Sequence, residues 1–180
     1  MTMQALATAL QRVEAVLRRR PEWGLQADAP ATACWQGGTR VVTSHANGTS
    51  VTTDLPDELG GTGQLISPGW LFRAGLASCA ATSIALLAAA EGIELSSLEV
   101  VAESRSDTRG LLGMTDAAGA VVAATPQALR LQVRIAATGV TGVTGERLRS
   151  LVAEACERSP IPRAAQCALP LQLQIDTQAA

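Results

Sequence analysis

The chain contains no lysine; all 14 of its basic residues are arginine. Together with heavy alanine usage, this reads as compositional bias of the source genome, and no function is drawn from it. Nor is there an excess of positive charge. The formal net charge is −2, which gives no electrostatic reason to expect nucleic acid or an anionic membrane as a partner. Metal-binding residues are sparse: one histidine, His45, and four cysteines, Cys34, Cys79, Cys156 and Cys167, with no CxxC spacing. No metal site of the usual spacing can be written from them, and no cofactor is expected. Long uncharged runs are missing as well. The longest, Ala74 to Ala90, falls short of the roughly 20 residues a spanning helix needs. It is rich in Ala and Gly, so it reads as core, and no membrane partner is expected. In the first residues, MTMQALATALQRVEAVLRRR, charge follows the apolar part, the reverse of secretory order. A cytoplasmic protein with reduced thiols is the expectation. Internal repeats and low-complexity tracts are lacking too.

What remains is a folded domain. A length of 180 residues with 47% apolar and 17% charged residues suits one well-buried domain. Met3, Leu6, Leu10, Val13 and Leu17 form one stripe at helical spacing, which Pro21 ends. Residues 1–21 are therefore expected to form an N-terminal helical extension and residues 22–180 a single domain. Arg18–Arg20 lie at the negative end of that helix. Three short β candidates follow at 31–36, 39–45 and 49–54, with Asn47-Gly48 as a hairpin turn between the last two. The segment LPDELGGTG belongs to a loop from Leu55 to Ile66. Ser67-Pro68 then has the form of an N-cap with proline at the first helical position. That helix is expected to run to about Glu91, with Gly92 as a left-handed cap. It is apolar all round its middle, so burial all round is expected, with a second subunit covering it.

Strands are expected at 97–104, 128–136 and 169–175. In the second, Leu129, Leu131, Val133 and Ile135 face inward and Arg130, Gln132 and Arg134 outward. The Gly-rich loop SDTRGLLGMTDAAGA lies between the first two. A second core helix is expected over 144–158, ended by Pro160 and Pro162. Hairpins with two core helices make an α+β fold.

The stretches LPDELGGTGQLISPGWLFRAGLASCAATSIALLAAAEGI, LEVVAES, ALRLQVRIAATG and LRSLVAEACERSPIPRA, taken in order, resemble the OsmC/Ohr family of osmotically induced and organic hydroperoxide resistance proteins. The resemblance covers about residue 30 to the C-terminus. It implies an OsmC-like fold: an intertwined homodimer in which antiparallel sheets wrap two central helices. It implies a thiol peroxidase whose peroxidatic cysteine is Cys79, with a resolving cysteine, an acidic residue and a thiolate-holding arginine. Arg40, in GGTR, matches that arginine. Two positions depart. Gly69 stands where active members have the acid, and Ser159 where they have the resolving cysteine.

The chemistry explains why those groups are needed. Only a thiolate attacks the O–O bond, and an ordinary thiol has a pKa near 8.5, so a cation must stand nearby. Cys79 lies about three turns into its helix, too deep for the N-terminal dipole, so the cation is a side chain. Attack leaves a sulfenic acid that a second thiol must trap before over-oxidation. An external dithiol then reopens the disulfide. Serine cannot form that disulfide. Cys156, three residues before Ser159, would lie near the same face if the helix continued, and is a second candidate resolver beside an apolar burial role. Cys167 is also open to that role, and Cys34 reads as strand core. Arg73 and Arg109 are lesser candidates for pocket charge, Glu154 and Glu157 read as a solvated face, and His45 as a turn residue.

Two functions are carried forward. In one, the chain is a stress protein that reacts with hydroperoxides through Cys79 in a degenerate site. In the other, it is a non-catalytic dimer that holds a small apolar ligand at the subunit interface, beside Trp70, Phe72 and residues 109–114.

Overall fold

The computed structural model describes residues 2–138, 143–167 and 169–177. Its organising element is the long helix foreseen from Ser67-Pro68. Ser67 Oγ accepts the Trp70 amide at 3.2 Å, Pro68 takes the first position, and helix Pro68–Ala90 follows. Gly92, at φ +68°, reverses the chain, and the Ile93 amide donates back to the Ala88 carbonyl at 2.8 Å. A left-handed residue there favours glycine, because a Cβ would crowd the following carbonyl.

Around it lie, in chain order, α1 (Met3–Arg19), β1 (Thr32–Trp35), β2 (Val41–Ser44), β3 (Ser50–Thr53), α2 (Pro68–Ala90), β4 (Leu95–Arg105), α3 (Thr108–Leu111), β5 (Gln127–Ala137), α4 (Gly145–Arg158) and α5 (Pro160–Gln166). Strands β1–β3 form an antiparallel meander, and β4 pairs antiparallel with β5. The α+β class and antiparallel sheets are as expected. Ile84 and Ala88 of α2, Ile93, and Leu151 and Ala155 of α4 are buried together. Half-buried Leu98, Val100, Val133 and Ile135 of the β4–β5 ribbon pack on them. Each fully buried leucine or isoleucine here contributes about 1.5–3 kcal/mol over exposure. Helix α1 lies against α2, and its Met3 reaches this cluster.

Several expectations are corrected. Helix α2 is not buried all round. Leu76, Ala80, Ile84 and Ala88, spaced by four, are buried, whereas Phe72, Gly75, Ser78 and Thr82 are exposed. Elements of one chain, α1, α4, α5 and β4, cover only one side. Residues 169–177 form no strand: Leu169, Leu171, Leu173 and Ile175 keep their alternation but stand exposed. A strand needs a neighbour for its amides and carbonyls, and no described strand pairs with this segment. Leu129 does not point inward but is 38% exposed. It follows Ala128, the one described non-glycine residue at positive φ (+50°), near a register shift at Glu103/Arg105; such irregularities re-aim side chains. Cys34 is exposed on β1, not core. The long loop between β4 and β5 contains the short helix α3. Helix α4 ends at Arg158, before Pro160 as expected, but a further short helix follows at once. The extended backbone of Ser159 (φ −82°, ψ 117°) leads into α5, with Pro160 at its first turn.

The GG loop is held by one carboxylate. Asp54, 3% exposed at the end of β3, accepts from the Leu55 amide (2.8 Å), the Thr62 amide (3.0 Å), the Thr62 hydroxyl (2.7 Å) and the Thr39 hydroxyl. Gly60 is left-handed (φ +82°), and a Cβ on Gly61 would lie 1.8 Å from the Leu55 carbonyl oxygen, so the second glycine is required by contact. The Thr39 and Thr62 hydroxyls, followed by the backbone amides, hold the Asp54 carboxyl well below the usual carboxylate range. Because the folded group is the stronger acid, its contribution to stability is full above the unfolded value of about 3.9 and is lost as pH falls toward the folded one. Asp54→Asn replaces one accepting oxygen with a donor. Thermal unfolding followed by circular dichroism is expected to show the variant melting several degrees lower at pH 7, with the gap narrowing below about pH 4.

Candidate functional site

Cys79 stands at the border of the two faces of α2. Leu76 and Ala80 beside it are buried, Gly75 and Ser78 are exposed, and Cys79 itself is half-buried. Its sulfur thus lies at the edge of the core. The break between α4 and α5 supplies its partner. Ser159 is fully buried, and its hydroxyl donates to Cys79 Sγ at 3.2 Å. The Ser159 amide donates to the Cys156 carbonyl at 3.2 Å, and its carbonyl accepts the Arg163 amide at 3.0 Å. The serine is fixed through its backbone on both sides, and Pro162 is buried just beyond it.

The four residues singled out in the sequence are therefore not all gathered. Cys79 and Ser159 meet. Cys156 makes no hydrogen bond with Cys79 among the described residues, and all four thiols are free. The reason is local: Ser159 has left the helix, so the three-residue spacing no longer places the two side chains on one face. Burial, and then the neighbouring Glu157 carboxylate, push the Cys156 thiol pKa up. Arg40 is exposed at the start of β2, its carbonyl accepting the Gln36 amide across the hairpin at 2.9 Å. No guanidinium hydrogen-bonds Cys79 among the described residues. Arg73 instead reaches Ser104 Oγ at 3.3 Å, and Arg109 pairs with Asp107 at 2.6 Å. Glu154 and Glu157 pair with Arg158 and Arg163 on the surface, as a solvated face does.

Two further residues bear on the site. Asp54 binds Thr39, the residue before Arg40, to the GG loop, and so fixes the hairpin that carries the guanidinium. An acidic residue closing a β-strand before a Gly-Gly loop was the available signal. At Gly69, a Cβ would meet only Arg73 Nη1 at 3.6 Å and Ser67 Oγ at 3.8 Å. Both are ordinary contacts, so packing does not exclude an acid there. Trp70 (48%) and Phe72 (41%), with Leu111, Leu112 and Met114, are exposed.

Comparison with known proteins follows this geometry. The family described as OsmC-like protein matches residues 61–174, which include Cys79 and Ser159 but not Arg40. Among solved structures, an OsmC-like protein from Mycoplasma pneumoniae is similar with a TM-score of 0.64 at 16% identity, over 80% of this chain and 91% of that one. An organic hydroperoxide resistance protein from Elizabethkingia anophelis is similar at 0.59 and 22%, over 80% and 91%. An organic hydroperoxide resistance protein OsmC from Legionella pneumophila is 26% identical, with a TM-score of 0.52, over 78% and 92%. No curated protein sequence shows significant similarity to the chain.

The contact between positions 79 and 159 has a direct test. A thiol introduced by Ser159→Cys is expected to close a disulfide with Cys79 under mild oxidation. Intact mass should fall by two hydrogens, and alkylation of Cys79 should be lost until a reductant is added. A fully alkylatable Cys79 after oxidation would contradict the contact.

Proposed function

The chain belongs to the OsmC-like protein family, and from that premise we propose that it is a homodimeric thiol protein of the oxidative stress response that reduces organic hydroperoxides through Cys79. The observation that carries this reading is the sulfur itself: half-buried, at the edge of an apolar core, with a buried hydroxyl donating to it at 3.2 Å. The hydroxyl holds the sulfur beside the break between α4 and α5. In the reaction, the Cys79 thiolate attacks the terminal oxygen of the hydroperoxide. The O–O bond breaks, Cys79 becomes a sulfenic acid, and the alkoxide leaves as the alcohol after taking a proton. Trp70 and Phe72, one to three turns before the sulfur and exposed, suit the organic part of such a substrate.

Dimer formation is part of the proposal. Seventeen large apolar side chains are exposed among the described residues, against eight buried apolar ones. That balance suits a subunit cut from a larger core. The exposed stripe Phe72, Gly75, Ser78 and Thr82 on α2 has small residues suited to close approach of a second helix, and the alternating segment 169–175 suits a strand that pairs across the interface. We assign Arg40 to the thiolate. It is exposed on a hairpin braced by Asp54, and the assembled dimer brings it to Cys79. Residues 1–21 form a helical extension that covers part of α2, and a cytoplasmic location fits thiols that remain free.

Peroxide consumption tests this. Reduced protein mixed with cumene hydroperoxide, without added reductant, is expected to consume about one equivalent per chain, and Cys79→Ser to consume none. Arg40→Met is expected to slow the reaction at least tenfold while leaving the melting temperature unchanged. No consumption by the reduced protein, or equal consumption by the Cys79→Ser variant, would sink the proposal in favour of the ligand-binding dimer.

A further inference from the structure

We infer that Cys79 is recycled by an external thiol that attacks the Cys79 sulfenic acid itself, so that the intermediate is a mixed disulfide with a second molecule rather than a bond within the chain. This rests on the peroxide reading above and goes beyond it by naming the co-substrate class and the intermediate.

The group in contact with Cys79 Sγ is a hydroxyl. Ser159 is fully buried and tied at its amide and carbonyl to Cys156 and Arg163. It therefore occupies the space from which an intrachain thiol would attack the sulfenic sulfur. Oxygen in that place can donate a hydrogen bond to the sulfur but cannot form a disulfide. The other thiols of the chain do not replace it. Cys156 lies inside α4, before the backbone turns away at Ser159, and makes no hydrogen bond with Cys79. Its desolvation also keeps it in the less reactive thiol form. Cys167 is exposed at the far end of α5, a helix roughly 10 Å long. Cys34 is exposed on β1. Cys79 itself is half-buried at the edge of the core.

The sulfur chemistry balances with a thiol as the sole co-reactant. The first thiol attacks the sulfenic sulfur, an S–S bond forms, and the hydroxyl leaves as water. A second thiol attacks the mixed disulfide at the outer sulfur, returning the Cys79 thiol and releasing the oxidised disulfide. In sum, one hydroperoxide and two thiols give one alcohol, one water and one disulfide. Ser159 is a positioning residue in this scheme: it holds the sulfur and leaves its other side to the incoming thiol.

The experiment treats the reduced full chain with one equivalent of cumene hydroperoxide, then with glutathione or 2-mercaptoethanol, and reads intact mass and peptide maps. Dimedone is expected to trap a sulfenic acid on Cys79. Each monothiol should add once, at Cys79, and excess thiol should remove the adduct. In Ser159→Cys the sulfenic acid should be diverted into an intrachain disulfide, with the glutathione adduct reduced at least tenfold. A disulfide from Cys79 to Cys156, Cys167 or Cys34 that outpaces the adduct in the wild-type chain overturns the inference and leaves the peroxide reading intact. A sulfenic acid that persists in both monothiols overturns it equally. If peroxide is not consumed and dimedone traps nothing, the peroxide reading itself fails.

Discussion

Helix α2 carries more apolar surface than its own chain covers, and most of the structure follows from that. Its buried stripe, Leu76, Ala80, Ile84 and Ala88, is closed by α4 and the β4–β5 ribbon, while Phe72, Gly75, Ser78 and Thr82 remain open. An α-helix with small residues on two sides lets neighbours approach from both. One side is filled by Leu151 and Ala155. The other is open in the single chain, and it is the face that the proposed dimer would cover. The exposed alternation at Leu169, Leu171, Leu173 and Ile175 belongs to the same constraint. It is a strand pattern with no strand paired to it among the described residues.

Where those two faces meet, Cys79 is placed. A thiol in the buried stripe would be sealed in hydrocarbon; one on the open stripe would be ordinary surface or interface. At the border it has a packed side that supplies a fixed donor. The fixed donor depends on backbone more than on side chain. Ser159 sits at the one residue between α4 and α5, with extended φ and ψ, and its amide and carbonyl are both used. Proline at 160 can begin a helix because it has no amide proton to satisfy there. The same residue disfavours helical backbone at the position before it, and so the turn at Ser159 is written in the SPIP sequence.

This explains which features were legible before any coordinates. The cap at Ser67-Pro68, the left-handed Gly92 and the Asn47-Gly48 hairpin are local rules, and all appear in the fold. Ser159 beside Cys79, eighty positions apart in the chain, came from resemblance rather than from spacing, since no local rule joins residues that far apart. Pro160 ends α4 as its sequence implies, whereas α5 was not foreseen, because a chain leaving one helix at a proline can enter another at once. Burial all round α2 was expected with a second subunit as part of the cover, and the single chain supplies one side of it, because hydropathy reports what a surface wants, not which molecule covers it. Asp54 was missed because a lone aspartate after a strand carries no periodic signal; its role lies in four donors that only the closed loop assembles.

Serine in the place of a second thiol changes the chemistry of the site without changing its shape. The 3.2 Å contact between Ser159 Oγ and Cys79 Sγ is the approach that precedes a disulfide, whose sulfurs would lie about 2.05 Å apart, but oxygen stops at the hydrogen bond. No covalent link between the two side chains can form there. Room for an acid at Gly69 points the same way: nothing in the packing forbids the missing groups, so their absence is a matter of reactivity rather than space. On the proposed reading, the second half of the reaction falls to a molecule from outside, arriving at the half-buried sulfur at the border of α2.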